Sequence, residues 1–175
     1  AIEKTECYQI SKTEFLFTVR NVAGYYIAKG SLIIVEPYEN ADMDTVKTYL
    51  TGTAMGTILL QRGIIPIHGS SVAFGSKCVI FTGGCGAGKS TLCSAFRRNN
   101  YGYLSDDVSA ITLSKEGIPF VQPAFPQQRL HRDAAEAMGY ETASLSHVCK
   151  EDDKYVVNSA EGFKKEPVPL AAVIE

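Results

Sequence analysis

Short runs of aromatic and β-branched residues, separated by turn-forming residues, open the chain. Three such runs lie at residues 15–19, 25–28 and 32–35, and segments containing Asn, Gly and Lys divide them. Runs of this length and composition are typical of β-strands. The pattern therefore predicts an antiparallel meander that begins the sheet.

A helical period replaces this pattern after Pro37. Asp42 is a residue type that caps the free N–H groups of a helix start, and apolar residues then recur at roughly helical spacing to about Gln61. Glycine commonly ends a helix, and Gly63 stands at the end of this pattern. We predict one helix here, which completes an N-terminal part over residues 1–63.

The segment from residue 64 to residue 132 has the strongest pattern and is the predicted catalytic core. Residues 64–74 and 77–81 predict two strands around a two-residue turn. Residues 90–98 predict a helix, and strands are predicted at 101–104, 108–113 and 119–121. A second helix is predicted over residues 127–138, with Gly139 closing it.

The C-terminal part, residues 133–175, is less regular. The polar stretch 141–153 predicts a mobile segment, and residues 155–157 and 168–174 predict two short strands. The chain ends while still in the strand pattern, which we interpret as a truncated chain. The whole predicts a single α/β domain, built on a mixed β-sheet.

Composition excludes several classes of function. Hydrophobic residues make up 45% of the 175 residues, enough for one buried core. The formal net charge of −2 predicts no nucleic-acid partner, and no apolar run is long enough to cross a membrane. Five cysteines, without a Cys-x-x-Cys pair, suggest neither a disulfide framework nor a zinc site and fit a reducing, cytoplasmic setting.

One glycine-rich loop carries the clearest chemical signal. Gly83, four further residues and then Gly88-Lys89-Ser90 follow a strand and open a helix, which is the pattern of a P-loop or Walker A motif. Backbone N–H groups of such a loop point at phosphate oxygens, the lysine reaches the terminal phosphates, and the hydroxyl contacts Mg²⁺. The predicted nucleotide-binding residues are Gly83, Gly84, Cys85, Gly86, Ala87, Gly88, Lys89, Ser90 and Thr91. The alternative is an accidental glycine turn, with Cys85 at a variable position.

Asp106 and Asp107 follow the predicted strand that returns from the P-loop helix. One helix and the strand that returns after it separate the loop from these carboxylates, so both lie at the same edge of the sheet. There one carboxylate can hold Mg²⁺ and the other can accept a proton. The structural alternative is a charged turn. His68 is either a core histidine or a group that contacts phosphate or orients an aspartate. Arg129 and Arg132 are candidate phosphate or substrate clamps, or simply a solvated helix start.

Four stretches taken in order resemble the catalytic domain of the HPr serine kinase/phosphorylase family. They are Pro66-Ile67-His68-Gly69-Ser70-Ser71, residues 83–91, Leu104-Ser105-Asp106-Asp107 and Pro123-Ala124-Phe125-Pro126-Gln127. The resemblance implies a mixed-sheet P-loop nucleotide-binding core, similar to that of HPr kinase and phosphoenolpyruvate carboxykinase, and a serine kinase that uses ATP and magnesium. It also implies catalytic roles for Lys89, Asp107 as base and His68, with Ser90 and Asp106 as the metal contacts.

Two departures from the family narrow the interpretation. Thr91 stands where the bifunctional enzymes have a glutamate, and the chain shows neither their extra N-terminal domain nor their C-terminal signature loop. The chain is most similar to the short HPr-kinase-like enzymes of lasso peptide biosynthesis, which implies phosphorylation of the C-terminal serine of a precursor peptide. A kinase of HPr or another metabolic protein, a low-turnover ATPase and a non-catalytic nucleotide-binding regulatory module remain as alternatives. The sequence leaves the acceptor, ATP against GTP preference and the oligomeric state open.

Overall fold

The computed structural model describes residues 3–148 and 153–175. The chain divides into two compact units, Ala1–Ile65 and Pro66–Glu175, and each is described by itself. The break lies two residues after the predicted end of the N-terminal part. Cys149 lies outside the described residues, as do residues 150–152 of the segment predicted to be mobile.

The first unit contains an antiparallel sheet whose strands follow one another in chain order. They are β1 (Glu3–Lys4), β2 (Tyr8–Ile10), β3 (Glu14–Val19), β4 (Ala23–Ala28) and β5 (Leu32–Pro37). The predicted three-stranded meander is confirmed as β3, β4 and β5, but these strands form a separate sheet and do not begin the mixed sheet as predicted, because none of them pairs with a strand of that sheet. The prediction missed β1 and β2, because strands of two and three residues are too short to show an alternating pattern.

A helical segment covers one face of this sheet. It consists of α1 (Met43–Tyr49), a π-helical stretch (Leu50–Ala54) and α2 (Met55–Gln61). Asp42 is the N-cap, as predicted, and its Oδ2 accepts from the backbone N–H of Thr45 at 2.8 Å. The helices bury Val46, Ala54 and Ile58 against Phe17, Ala23, Tyr25 and Ile27 of the sheet, and these form the core of this unit. No helix in the described ranges has the length and apolar character needed to span a membrane.

The second unit contains nine strands and two α-helices among its described residues. In chain order they are β6 (Ile65–Phe74), β7 (Lys77–Thr82), α3 (Lys89–Arg98), β8 (Gly102–Ser105), β9 (Val108–Leu113), β10 (Pro119–Gln122), β11 (Gln127–His131), α4 (Arg132–Ala137), β12 (Ser146–His147), β13 (Lys154–Asn158) and β14 (Val168–Ile174), with β6 beginning at the last residue of the first unit. The predicted hairpin β6–β7, the helix α3 and the strands β8, β9, β10, β13 and β14 are confirmed.

The larger sheet of this unit has the strand order β7-β14-β10-β9-β6-β8, and β7 also pairs with β6. The first five strands in that order therefore close into a ring. The β7–β14 pair is parallel, whereas β6 pairs antiparallel with both β7 and β8. Apolar side chains including Ile80, Leu104, Ile111 and Val121 fill the buried side of this sheet. The sheet is mixed, and its strand β7 leads directly into the glycine loop.

The prediction of a helix over residues 127–138 is wrong for residues 127–131. Residues 127–131 form β11, which pairs with β13, and helix α4 begins only at Arg132. Burial alternates along β11: Gln128 and Leu130 are buried, and the residues on either side of them are exposed. A strand has this period of two residues, and pairing with β13 outweighs the weak helical pattern.

The polar stretch predicted to be mobile is partly ordered. Its described residues include a 3₁₀ turn at Thr142–Ser144 and the short strand β12, which pairs with β13. Asp153, at the other end of the stretch, accepts from the guanidinium of Arg132 at 3.1 Å. Residues 141–148 therefore contain regular structure that the weak sequence pattern did not indicate, and residues 149–152 lie outside the described ones.

Candidate functional site

The glycine loop connects the end of β7 to the start of α3. Gly83, Gly86 and Gly88 all have positive φ, of 140°, 78° and 88°, so each adopts a conformation that side chains disfavour. Lys89 is the first residue of α3, and its Nζ donates to the carbonyl oxygens of Gly83 and Gly84, both at 2.9 Å. The lysine ammonium is thus held directly over the loop, where an anion bound by the loop amides would meet it.

A cleft of about 390 Å³ lies beside this loop. The loop and helix α3 line one side with Cys85, Gly86, Gly88, Lys89, Ser90 and Thr91; His68, Asp107, Arg129, Leu130, His131, Asp133, Ala134, Ala137 and Lys154 line the rest. The structure therefore brings together most of the residues predicted for the site. Five segments distant in sequence contribute to the lining.

The two aspartates occupy a tight turn between β8 and β9. Asp107 has a φ of 65°, and the N–H of Val108 donates to the carbonyl of Asp106 at 2.8 Å, which closes a three-residue turn. The carbonyl of Asp107 accepts from the N–H of Gly69 at 3.0 Å, tying the turn to β6. In a regular strand neighbouring side chains point to opposite faces, but the turn allows both carboxylates to serve one site.

The carboxylate of Asp106 is fixed by three donors. Its Oδ1 accepts from the hydroxyls of Ser70 at 2.5 Å and Ser90 at 2.8 Å, and its Oδ2 accepts from the backbone N–H of Arg129 at 3.0 Å. These donors come from β6, α3 and β11 in turn. Charge-assisted hydrogen bonds of this kind are short and strong, so Asp106 has little freedom to turn away from Ser90.

Asp107 makes an ion pair with Arg129. The guanidinium Nη1 lies 2.8 Å from Oδ2, and the two side chains are 47% and 36% exposed. At this exposure water screens the attraction, so the pair contributes little stability and can separate. Arg129 is therefore placed to move between Asp107 and another anion in the cleft.

His68 and Arg132 have different surroundings. His68 is an exposed residue of β6 that lines the cleft, so it is not the core histidine that the sequence left as an alternative. Arg132 begins α4 and its guanidinium contacts Asp153 and lies over the ring of Tyr155, 5.1 Å from its centroid. The hydrogen bond from Arg132 lowers the pKa of the Asp153 carboxyl. Of the two arginines proposed as clamps, Arg129 lines the cleft and Arg132 faces Asp153.

Sequence reasoning missed four polar residues of the site. Ser70 contacts Asp106, and His131, Asp133 and Lys154 line the cleft. His131 and Lys154 are direct partners on β11 and β13. Residues 127–131 show no alternation of apolar with polar residues in the sequence, because Gln128 is itself polar, so no local signal marks β11 or the position of His131.

Buried serine hydroxyls form a hydrogen-bonded chain behind the two aspartates. The hydroxyls of Ser71 and Ser105 lie 2.6 Å apart, those of Ser105 and Ser109 lie 2.8 Å apart, and Ser109 donates to the carbonyl of Gly69 at 2.9 Å. This chain links β6, β8 and β9. Because buried hydroxyls left unpaired are costly, it fixes the register of the strand ends that carry the aspartate turn.

Gly69 allows β6 and β7 to approach closely at the same place. A Cβ on Gly69 would lie 2.5 Å from the carbonyl oxygen of Phe81. Tyr103 supplies a further link, because its buried hydroxyl donates to the carbonyl of Gln127 at 2.6 Å. Burial is the main cause that raises the pKa of Tyr103, and the nearby Asp106 raises it further. The phenol therefore stays a neutral donor that holds β8 against the start of β11.

The four described cysteines differ sharply in exposure. Cys85 in the loop and Cys7 are exposed, whereas Cys78 and Cys93 are buried. Burial raises the pKa of Cys78 to about 11 and that of Cys93 further. Thiol chemistry near neutral pH is therefore confined, among these four, to the two exposed residues.

No cluster of three or more histidine, cysteine or acidic side chains suited to a metal ion occurs in the described part of the chain. Ser90, which lines the cleft, and Asp106 instead offer two hard oxygen donors 2.8 Å apart. Mg²⁺ in nucleotide sites is typically held by one or two protein oxygens, with phosphate and water completing its shell. The donor set fits Mg²⁺ bound together with a phosphate ligand.

In comparisons with known proteins, no family model matches the chain, and no curated protein matches it significantly.

Proposed function

We propose that this chain is an ATP- and magnesium-dependent serine kinase. The observation that carries the proposal is the 2.8 Å contact between the Ser90 hydroxyl and Asp106 Oδ1, because it joins the first turn of the loop helix to an acidic turn. A glycine loop that binds phosphate, a hydroxyl and carboxylate for a metal, and a second carboxylate at the same cleft are the parts that phosphoryl transfer requires.

The loop amides and Lys89 would bind the phosphates of the nucleotide, and Ser90 with Asp106 would hold Mg²⁺. When bound, the ion neutralises charge on the phosphate oxygens. Lys89 Nζ exchanges its contacts with the Gly83 and Gly84 carbonyls for phosphate oxygens. These four groups account for nucleotide binding without the rest of the cleft.

Asp107 would act as the base. The acceptor hydroxyl oxygen forms a bond to the γ-phosphorus, the bond from that phosphorus to the bridging oxygen breaks, and the hydroxyl proton passes to the Asp107 carboxylate. Arg129 is the partner that must yield, since its Nη1 lies 2.8 Å from Asp107 Oδ2. Transfer of Arg129 to the γ-phosphate would free Asp107 only when nucleotide is present. His68, exposed in the cleft, would contact the same phosphate or orient Asp107.

The acceptor is proposed to be a peptide, with the C-terminal serine of a lasso precursor as the specific substrate. This part, together with a P-loop fold related to that of HPr kinase, rests on the sequence resemblance stated above, and the proposed cytoplasmic location rests on the cysteine content. The cleft supports it only in being open and polar enough to admit a peptide end. HPr is the alternative protein acceptor.

The test is incubation of the full chain with ATP and Mg²⁺ against serine-ending peptides and against HPr, read as a mass increase of one phosphate. Asp107→Asn should retain nucleotide binding and lose transfer, since the amide cannot accept the proton. Asp44→Asn, an exposed change in the first unit, is the matched control and should transfer normally. Nucleotide binding with no phosphorylated acceptor and no effect of Asp107→Asn would contradict the kinase and favour a regulatory module.

A further inference from the structure

Strand β5 forms one edge of the sheet in the first unit. It is six residues long (Leu32–Pro37), and in the described part of the chain it pairs with β4 alone. The N–H of Tyr38 donates to the carbonyl of Val22 at 3.0 Å, and the register of the pair then makes the even-numbered residues of β5 the ones bonded to β4. The backbone N–H and C=O groups of Ile33 and Val35 therefore point away from β4, toward the open edge.

This edge has few of the features that keep an edge strand from pairing with another chain. Such strands are commonly very short, bulged, or rich in lysine and proline. The pairing of β5 with β4 has no bulge, the strand contains no lysine, and its proline, Pro37, occupies only the last position. Leu32 and Ile34 are 45% and 53% exposed and project from the face opposite the helices. The edge therefore combines unpaired backbone groups with an exposed apolar surface.

The two ends of β5 carry charges of opposite sign. Lys29 lies in the turn before the strand, Glu36 lies near its end and Glu39 lies just beyond it, and all three are exposed. None of them makes an ion pair within residues 3–148 and 153–175. A second β5 placed antiparallel to the first would bring the lysine end of each strand toward the glutamate end of the other. A parallel arrangement would bring like charges together, so the edge is complementary to itself in the antiparallel direction.

We propose that β5 pairs antiparallel with β5 of a second copy, which joins two five-stranded sheets into one continuous sheet. The outward N–H groups of Ile33 and Val35 then donate to carbonyl oxygens across the interface. Two registers satisfy these donors. One is centred on Ile33 and sets Leu32 opposite Ile34 of the second copy, and the other sets the two Ile34 side chains opposite each other. Either arrangement has two-fold symmetry, so assembly stops at a dimer.

The molar mass of the full chain in solution is the first test, measured by size-exclusion chromatography with light scattering over a series of protein concentrations. The mass should approach twice 19.0 kDa as the concentration rises. A mass that stays at 19.0 kDa throughout the series would overturn the proposal. This measurement does not depend on nucleotide or acceptor, so it is independent of the proposed kinase activity.

Ile34→Lys should raise the dissociation constant of the dimer by about tenfold or more, because it places a charge against apolar side chains at the interface. Leu16→Lys is the matched control. Leu16 is 37% exposed and pairs with Tyr26, which in turn pairs with Ile34, so it lies on the same face of the sheet but two strands from the edge. The control should dimerise like the unmodified chain. Circular dichroism checks that both variants are folded.

The outcomes for the two lysine variants separate edge pairing from other modes of assembly. Two variants that both remain dimeric would place the interface elsewhere on the molecule, and two that both become monomeric would indicate stacking of the open sheet faces. Either result would overturn the proposal.

Cysteine cross-linking tests the same pairing in the dimer itself. Ile34→Cys alone, and an equal mixture of the single variants Leu32→Cys and Ile34→Cys, are oxidised, and the disulfides are located by peptide mass mapping. Opposed residues that are not hydrogen-bonded to each other lie close enough for a disulfide. A bond between two copies of Ile34→Cys supports the register centred on Ile34, and a bond between the two variants supports the register centred on Ile33. Formation of neither bond, or equal cross-linking of Leu16→Cys, would overturn the pairing.

Discussion

The hydroxyl oxygen of Ser90 lies 2.8 Å from Oδ1 of Asp106, although the two residues are 16 positions apart. Between them run helix α3 and strand β8. The contact joins the glycine loop to the acidic turn, and Ser70 reaches the same oxygen from β6. The loop and the turn therefore form one unit rather than two neighbouring motifs.

Replacing Ser90 by Ala should weaken magnesium-dependent nucleotide binding by about tenfold, because it removes the proposed metal contact and the hydrogen bond to Asp106. Ser90→Thr keeps the hydroxyl and should restore most of the binding. Titration of a fluorescent ATP analogue at several Mg²⁺ concentrations measures both. Loss of binding that does not depend on Mg²⁺ would argue against a metal role for Ser90.

Substitutions of Asp107 separate chemistry from backbone conformation. Its φ of 65° lies in the left-handed region, which Asn tolerates and Ala does not. Asp107→Asn should therefore abolish phosphate transfer with little change in stability, whereas Asp107→Ala should also lower the unfolding free energy by about 1 kcal/mol. Thermal unfolding followed by circular dichroism checks the difference. Equal stability of the two variants would contradict the conformational argument.

Gly69→Ala should destabilise the second unit, because the new Cβ would lie 2.5 Å from the Phe81 carbonyl oxygen. Strand separation to relieve this overlap should cost about 2 kcal/mol and lower the unfolding midpoint by about 5 °C or more. Gly24→Ala is the control, since a Cβ there meets nothing within 4 Å. The steric account predicts an unchanged midpoint for the control; a comparable fall in both variants would be evidence against it.

Alkylation should distinguish the cysteines and report nucleotide binding. At pH 8 iodoacetamide should modify Cys7 and Cys85, which are exposed, and spare Cys78, whose pKa of about 11 leaves it protonated as well as buried. Reaction at Cys78 should rise only as the pH approaches 11. Because Cys85 lines the cleft, MgATP should slow its modification and leave that of Cys7 unchanged. Peptide mass mapping reads each site, and equal labelling of Cys85 with and without nucleotide would speak against the proposed phosphate loop.

The sequence was sufficient to predict the glycine loop with its flanking strand and helix, because their signals are local. The spacing of the glycines predicts the loop, and the periodicity of apolar residues predicts β7 and α3. The proximity of Asp106 to Ser90 was also predictable, since a helix and a returning strand leave few places for it. These features depend on residues close together in the chain.

The β11 strand could not be predicted by the same means. Its five residues pair with β13, whose register depends on residues 23 or more positions away. Nothing local records that pairing, and the weak helical pattern of residues 127–138 gives no indication that His131 lines the cleft. The roles of Ser70 and of the buried serine chain were missed for a similar reason, because a serine in a strand carries no sign of its partner.

The three-residue turn at Asp106 and Asp107 couples the two carboxylates by covalent geometry. Asp106 is held by hydrogen bonds to its carboxylate, and Asp107 is held by the hydrogen bond between its carbonyl oxygen and the N–H of Gly69. An insertion or deletion between Ser105 and Val108 would therefore displace both carboxylates at once. We expect this turn to accept substitutions but not changes of length. A library that varies residue identity while holding the length of this turn constant is the one expected to yield active variants with altered acceptor preference.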